Sequence, residues 1–259
     1  MTTQDVQRRY EGDTYIDFLD DQGGQIGFIG PVDGQLFSWQ INAEQVSAKS
    51  KMRGTYGQEK AVLNNPSETN ISLNLISVPE AVLAAQMMGT IVSANQAAGS
   101  LTDEPLVAKL DRWLFVGKRN LTAASDVLTD STGTTTYVNG TDYELNERLG
   151  LVMPLSGGAI SADEALLFDA SYGAITQNKI NGVTRSQVRA RILIDLYDQV
   201  NGKDAEAIVY NAMMTPNQAI DLFSDAHIEA QFNGKAMTPV NTAVDGTAPI
   251  VLILDKTYG

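Results

Sequence analysis

With 259 residues and a formal charge of −13, the chain can bury one large core or two small ones, and it is too acidic to grip a phosphate backbone through lysine and arginine. It has no cysteine and a single histidine, His227, which excludes disulfide frameworks, thiol catalysis, thiolate metal sites and every two-histidine zinc pattern. The opening Met1-Thr2-Thr3-Gln4-Asp5 lacks the apolar run of a secretory signal, and the aliphatic stretch Pro249 to Leu254 is far short of a membrane span, so a soluble compartment is expected.

Residues 1–9 are polar and expected to be mobile. Tyr15 to Leu19 reads as a strand that stops at Asp20-Asp21-Gln22-Gly23-Gly24, and Ile26 to Ile29 as a second that ends at Gly30-Pro31. Gly24, Gly27 and Gly30 have the wrong spacing for a dinucleotide fingerprint, and no Lys-Ser/Thr follows for a phosphate loop, so they read as turn glycines. Phe37, Trp39 and Ile41 then alternate with Ser38, Gln40 and Asn42, and Ile71, Leu73 and Leu75 with Asn70, Ser72 and Asn74. A period of two places each apolar trio on one face of a half-buried antiparallel strand.

Between those strands, residues 43–69 are too polar to bury and too long for a tight turn, and a long projecting loop is expected. Asn42 to Glu68 carries Lys49, Lys51, Arg53 and Lys60 against Glu44, Glu59 and Glu68, so a segment of charge +1 projects from a body of charge −14. The four cations are the candidate contact residues, because a neighbouring acidic copy would attract them. The run Pro79 to Gly89 reads as a helix: Pro79 suits a first position, Glu80 the positive helix end, Leu83 and Met87 one apolar stripe, and Gly89 a left-handed stop.

Thr90 to Gly99 reads as a connector, Leu101 to Asp111 fits helix or strand equally, and Trp113 to Val116 is a short strand. The run Thr134 to Leu145 contains Asn139-Gly140 between β-prone residues, which predicts a two-residue hairpin with Thr136 facing Tyr143 and Val138 facing Thr141. Strands are also expected at Leu151 to Met153, Leu166 to Tyr172, Val188 to Tyr197, Ala205 to Met214, Ala226 to Phe232 and Ile250 to Leu254. Asn181-Gly182, Asn201-Gly202 and Asn233-Gly234 punctuate them as turns. The whole spells one all-β domain over residues 1–259, a β-sandwich or barrel with one short flanking helix and long loops.

No motif for chemistry emerges, and the chain reads as a non-enzyme without a cofactor or metal. Asp17, Asp20 and Asp21 lack calcium-loop spacing. Asp142 and Glu144 read as a solvated strand end, and His227 as a surface residue beside Glu229.

The order of features resembles the major tail tube proteins of long-tailed, siphovirus-type bacteriophages. The resemblance runs through Gly12 to Phe18, the Phe37 to Ile41 strand, the Ser47 to Arg53 segment, and the Ile71 to Ser77 strand with its trailing helix. It resumes at Thr135 to Tyr143, Gly150, Gly157-Gly158-Ala159-Ile160, Ser171-Tyr172 and the late strand Ala226 to Phe232. Gly89 to Asp111 and Ser171 to Arg185 match nothing in that pattern beyond the Ser171-Tyr172 strand end.

The resemblance implies a sandwich or barrel subunit, with a flanking helix, that closes into hexameric rings. Rings stack into a hollow tube around a tape-measure protein, with tail terminator and tip proteins as further partners. DNA crosses the lumen without specific binding, no membrane is involved, and the protein belongs to the virion tail after assembly in the host bacterial cytoplasm. The alternatives are another ring-forming tail protein, such as a tail terminator, and a carbohydrate-binding virion module; two tryptophans give the latter little support.

Overall fold

A computed structural model describes residues 7–20 and 23–256. In chain order the elements are β1 (Tyr10–Phe18), β2 (Ile29–Val32), β3 (Gly34–Lys49), β4 (Glu59–Leu75), α1 (Glu80–Gln86), β5 (Thr90–Ser93), β6 (Gly99–Val107), β7 (Leu114–Phe115) and β8 (Val127–Asp130). There follow β9 (Thr136–Tyr137), β10 (Tyr143–Asn146), β11 (Leu151–Pro154), β12 (Ala165–Tyr172), β13 (Asn178–Asn181), β14 (Val188–Asp198), β15 (Lys203–Pro216), β16 (Ala230–Ala236), α2 (Thr242–Asp245) and β17 (Ile250–Lys256). The fold is all-β with antiparallel sheets, as the alternation predicts; a second short helix, α2, joins the one expected, and no barrel closes among the described residues.

The expected single domain is not what forms. The chain divides into two compact units, one of them Val92–Lys179, inserted between the two halves of the other. β5 and β13 pair in a two-stranded sheet where the chain leaves the first unit and returns to it. Thr90 to Gly99, expected as a connector, therefore begins with a strand.

The first unit is a sheet in the order β2-β1-β14-β15-β16-β4-β3, with β17 also paired to β15. β14 and β15 form its longest body hairpin, joined at Asn201-Gly202 as predicted, with Gly202 at φ +63°. The Asp198 carboxylate holds that turn by accepting from the Val200 backbone N–H at 3.0 Å and from Asn201 Nδ2 at 2.6 Å. Val188, Ala190, Ile192 and Ile194 of β14 are buried on one face with Val209 and Met214 of β15, Phe232 of β16 and Ile71, Leu73 and Leu75 of β4. The edge strands β2 and β3 are consecutive in sequence, joined through Asp33, so the sheet curls towards itself without its edges pairing.

Several local expectations change. α1 buries Val82, Ala84, Ala85 and Gln86 rather than a Leu83–Met87 stripe, because Val82 and Ala85 are the positions that meet the sheet core. Met88, not Gly89, takes the left-handed position at φ +47°; Gly89 is needed because a Cβ there would lie 2.5 Å from the Asn181 carbonyl oxygen. Of the segment expected to be mobile, residues 1–6 lie outside the described residues, as does Asp21. Arg9 is tied down, its carbonyl accepting from the Gln199 N–H at 2.8 Å.

Asn233-Gly234 is no turn. It lies inside β16, whose bounds replace the expected Ala226 to Phe232, while Asn217 to Glu229 is loop. A Cβ on Gly234 would stand 2.3 Å from the Met213 carbonyl oxygen, so glycine permits the close β15–β16 approach.

The inserted unit is a β-sandwich. A three-stranded sheet, β10-β11-β7, and a four-stranded sheet, β6-β12-β8-β9, share one core containing Val116, Leu128, Tyr137, Tyr143, Val152, Leu166 and Phe168. The predicted Thr136–Tyr143 hairpin pairing does not occur. β9 pairs with β8 and β10 with β11, so the Asn139-Gly140 turn carries the chain from one sheet to the other. Asp142 fixes this corner: one carboxylate oxygen accepts from Val138 N–H and the other from Ala159 N–H, both at 2.8 Å. It is 8% exposed, a buried brace instead of a solvated strand end, whereas Glu144 is exposed. Tyr143 turns into the core and donates its hydroxyl proton to Asp126 at 2.6 Å.

Gly234→Ala forces β15 and β16 apart and is expected to destabilise the first unit by about 1–3 kcal/mol, read from urea unfolding. The two backbone bonds hold the Asp142 carboxyl below its usual range. A depressed carboxyl stabilises the fold above its unfolded value, about 3.9, and loses that contribution as pH falls through its folded value. Asp142→Asn, whose amide nitrogen cannot accept from a backbone N–H, is therefore expected to lower the melting temperature at pH 7. The gap from the parent should shrink on acidification below about pH 4.

Candidate functional site

Residues 43–69 do not form a loop; they are the outer half of a long two-stranded ribbon made by β3 and β4. β16 pairs with β4 only from Ala230↔Leu75 to Ala236↔Thr69, so beyond Thr69 the ribbon leaves the body with no third strand beside it among the described residues. A register shift between Ile41 and Ala43 marks the departure, and Pro66 sits opposite Ala43 at that irregularity, where a missing N–H costs little. Lys235 Nζ lies 2.7 Å from Glu68 and ties the base of the arm to β16.

Past this point Ala43 to Lys49 and Glu59 to Glu68 are all exposed. Directly opposed residues share a face, so Val46 with Leu63 and Ala48 with Ala61 make an apolar strip on one side, with Glu44 and Asn65 at its base. Gln45 with Asn64 and Ser47 with Val62 occupy the other, where Gln45 Nε2 donates to Asn64 Oδ1 at 3.3 Å. Val46 is 51% and Leu63 61% exposed, leaving the apolar strip open. An isolated two-stranded ribbon is marginal in water, and an added strand or packed face is what stabilises it.

The tip is a folded turn. Ser50 N–H donates to the Gln58 carbonyl at 2.7 Å, Gly57 N–H to the Ser50 carbonyl at 2.9 Å, and the Ser50 and Thr55 hydroxyls meet at 2.8 Å. Gly54 at φ +92° and Gly57 at φ +84° supply the left-handed backbone that it requires. The structure brings Lys49, Lys51, Arg53 and Lys60 together around this turn, all exposed, beside exposed Met52 and Tyr56. Of these, Met52, Arg53 and Tyr56 belong to residue types enriched at protein interfaces, whereas lysine is depleted there, so the three lysines count for their charge alone.

Sequence reasoning missed the counterpart. On the face of β1, β14 and β15 opposite the core, register aligns Asp13 with Asp195 and Asp195 with Glu206, and on the next rung Glu11 with Tyr197 and Tyr197 with Asp204. Lys256 neutralises Glu206. Glu11, Asp13, Asp195 and Asp204 surround a recess of about 400 Å³ over Gly12, where a Cβ would lie 2.0 Å from the Asp195 carbonyl oxygen. Like charges directly opposed across strands are unfavourable, so this face favours a cationic neighbour.

Among the described residues no group of three or more His, Cys, Asp or Glu side chains is placed to hold a metal ion, and no helix is long and apolar enough to cross a membrane. His227 is exposed in the loop before β16. Comparison with family models aligns residues 10–247 with the family described as "Protein of unknown function UCP028589". The chain belongs to that family. The match covers the whole inserted unit and the entire arm and ends before β17 of this UCP028589 chain, and no curated protein matches it.

The open faces of the arm give a direct expectation. In the lone subunit the amides of residues 43–49 and 59–66 should exchange with deuterium far faster than those of β14 and β15, and protection should appear on them when copies associate. Slow exchange of the arm in a verified monomer would contradict this.

Proposed function

We propose that the chain is a structural subunit that assembles with copies of itself, its arm engaging a neighbouring copy. One observation carries the reading: half of the β3–β4 ribbon stands clear of the body with both faces open, an apolar strip on one of them, and a basic tip. Free strand edges and an uncovered apolar strip are what a neighbouring sheet completes. The acidic rungs at Glu11, Asp13, Asp195 and Asp204 offer charge opposite to that of Lys49, Lys51, Arg53 and Lys60.

Taken with the resemblance to major tail tube proteins, the assembly is a hexameric ring that stacks into the hollow tail tube of a long-tailed bacteriophage. The ring is the closed form of a head-to-tail contact, and the arm is the element that reaches the next copy. An acidic lumen lets DNA slide, since phosphates find no lysine or arginine there. In this reading the partners are further copies, the tape-measure protein and the terminator and tip proteins, and no catalytic step occurs. A second reading, a carbohydrate-binding virion module, draws on Trp113 and Phe115, which stand two residues apart on the inserted sandwich at 46% and 50% exposure. It predicts glycan binding by a chain that remains monomeric.

Concentrated protein viewed by electron microscopy should show rings or tubes. The triple variant Lys49→Glu, Lys51→Glu, Arg53→Glu should keep its circular dichroism spectrum and melting temperature, because all three side chains are exposed, yet form far fewer and shorter tubes. Tubes of ordinary length from that variant would remove the arm from the mechanism. A parent chain that stays monomeric at every concentration would remove the assembly reading.

A further inference from the structure

The first unit carries two surfaces of opposite charge, each with uncovered apolar side chains. The turn of the arm, Lys49 to Lys60, holds four cations against Glu59 alone, a formal charge of +3, beside exposed Met52 and Tyr56. The loop Asn217 to Glu229, between β15 and β16, holds Asp221, Asp225 and Glu229 with no lysine or arginine, a formal charge of −3. Its tip presents Leu222 at 72% and Phe223 at 97% exposure. Phe223 N–H donates to Asp221 Oδ1 at 2.9 Å and Ala226 N–H to Ser224 Oγ at 3.1 Å, fixing a turn on either side of that tip. Buried Gln86 of α1 pins both ends of the loop, its Nε2 donating to the Gln218 carbonyl at 3.4 Å and to the Glu229 carbonyl at 3.3 Å. A phenylalanine held in water on a braced loop keeps an apolar area uncovered that association would remove. Among the described residues none of Lys49, Lys51, Arg53, Lys60, Asp221 and Asp225 forms an ion pair.

Strand direction puts these two surfaces at opposite ends of the unit. β4 and β15 are both antiparallel to β16, so they run parallel to each other. Towards higher numbers β15 enters the acidic loop after Pro216, and β4 ends at Leu75 opposite Ala230, where that loop finishes. Towards lower numbers β4 leads out along the arm to Glu59 and the basic turn. The 17 residues of β4 have a contour of roughly 50 Å at about 3.3 Å per residue, so the turn and the loop of one chain stand far apart. The acidic rung of Tyr197 with Glu11 and Asp204 lies at the low-numbered end of β15, on the side from which the arm departs.

We infer that the basic turn of one copy docks on the Asp221–Asp225 loop of the next, with Lys49, Lys51 and Arg53 towards Asp221 and Asp225, and Met52 and Tyr56 against Leu222 and Phe223. The partner is a second copy because each surface has the charge that the other leaves unpaired, and both offer apolar side chains to cover. End-to-end placement decides between this loop and the acidic rungs. Surfaces at opposite ends repeat head to tail into an open stack, whereas a turn and an acceptor at the same end let two copies grip each other and stop at a pair. The contact deepens the assembly reading and rests on it, naming the surface that receives the arm.

The absence of cysteine from the natural chain makes the test direct. Full chains carrying Tyr56→Cys are mixed with full chains carrying Phe223→Cys and a mass tag, allowed to associate and mildly oxidised. Mixed disulfide dimers should exceed the share that chance pairing gives on non-reducing gels. In a second arm, Asp221→Lys with Asp225→Lys should shorten tubes as Lys49→Glu, Lys51→Glu, Arg53→Glu does. All five changes in one chain should strengthen self-association by roughly tenfold or more over either set alone in sedimentation velocity. Mixed disulfides at the chance share, or a five-residue variant as defective as either set, would overturn the inference while tubes from the natural chain leave the assembly reading standing. Recovery of the arm variant by Glu11→Lys with Asp13→Lys would seat the turn on the rungs and overturn it as well. A natural chain that never associates would overturn both.

Discussion

The shape of the first unit depends on how β15 divides its hydrogen bonds. One edge runs along β14 from Val188↔Met214 to Asp198↔Lys203. The other is shared: Asp204 to Val209 pairs with β17, and Ala212 to Pro216 with β16. Splitting an edge between two strands is tolerated only where backbone groups find partners on both sides of the break, and the Met237 N–H bond to the Asn211 carbonyl at 2.8 Å supplies one there. From that division the arm follows. β16 is short, β4 is 17 residues long, and everything on β4 before Thr69 must do without a second neighbour in the monomer.

What the sequence made legible was the half-buried strand. In β14 the small and branched residues Val188, Ala190, Ile192 and Ile194 alternate with Arg189, Arg191 and Leu193, and burial follows that alternation residue by residue. The arm was illegible for the same reason in reverse: with neither face packed on the body, its composition is polar and carries Asn64-Asn65-Pro66-Ser67, which reads as loop. Asn-Gly pairs carried three different meanings. At Asn201-Gly202 the pair turns a hairpin, at Asn139-Gly140 it crosses between sheets, and at Asn233-Gly234 it allows close packing inside a strand. Local conformation is written in the dipeptide; the strand that the chain meets after the turn is not. The inserted unit escaped notice because its two junctions are short strands without a change in composition.

The candidate site divides along the same line. Lys49, Lys51, Arg53 and Lys60 stand close in sequence and stay close in space, so their grouping was readable before any fold was known. Asp13, Asp195 and Glu206 meet only through the register of three strands. Such a constellation depends on long-range pairing that no local window contains. Leu222 and Phe223 were in plain view, but an apolar pair in a sequence carries no sign of whether it will be buried.

Charge gives these surfaces their order. A body of charge −14 repels its own copies at distances up to about a Debye length, and this suppresses indiscriminate pairing of exposed edges such as β3. The arm is the exception, and its tip is where the repulsion changes sign, so approach is favoured in the orientation that brings the tip to an acidic face. Electrostatics of this kind selects encounter geometry and rate more than it sets affinity. Affinity then has to come from apolar area, which the open face of the arm at Val46 and Leu63 provides on one surface and the Leu222–Phe223 tip on another. A subunit with one repulsive body, one attractive tip and separate apolar contacts can stay dispersed as a monomer and still add copies in a single orientation.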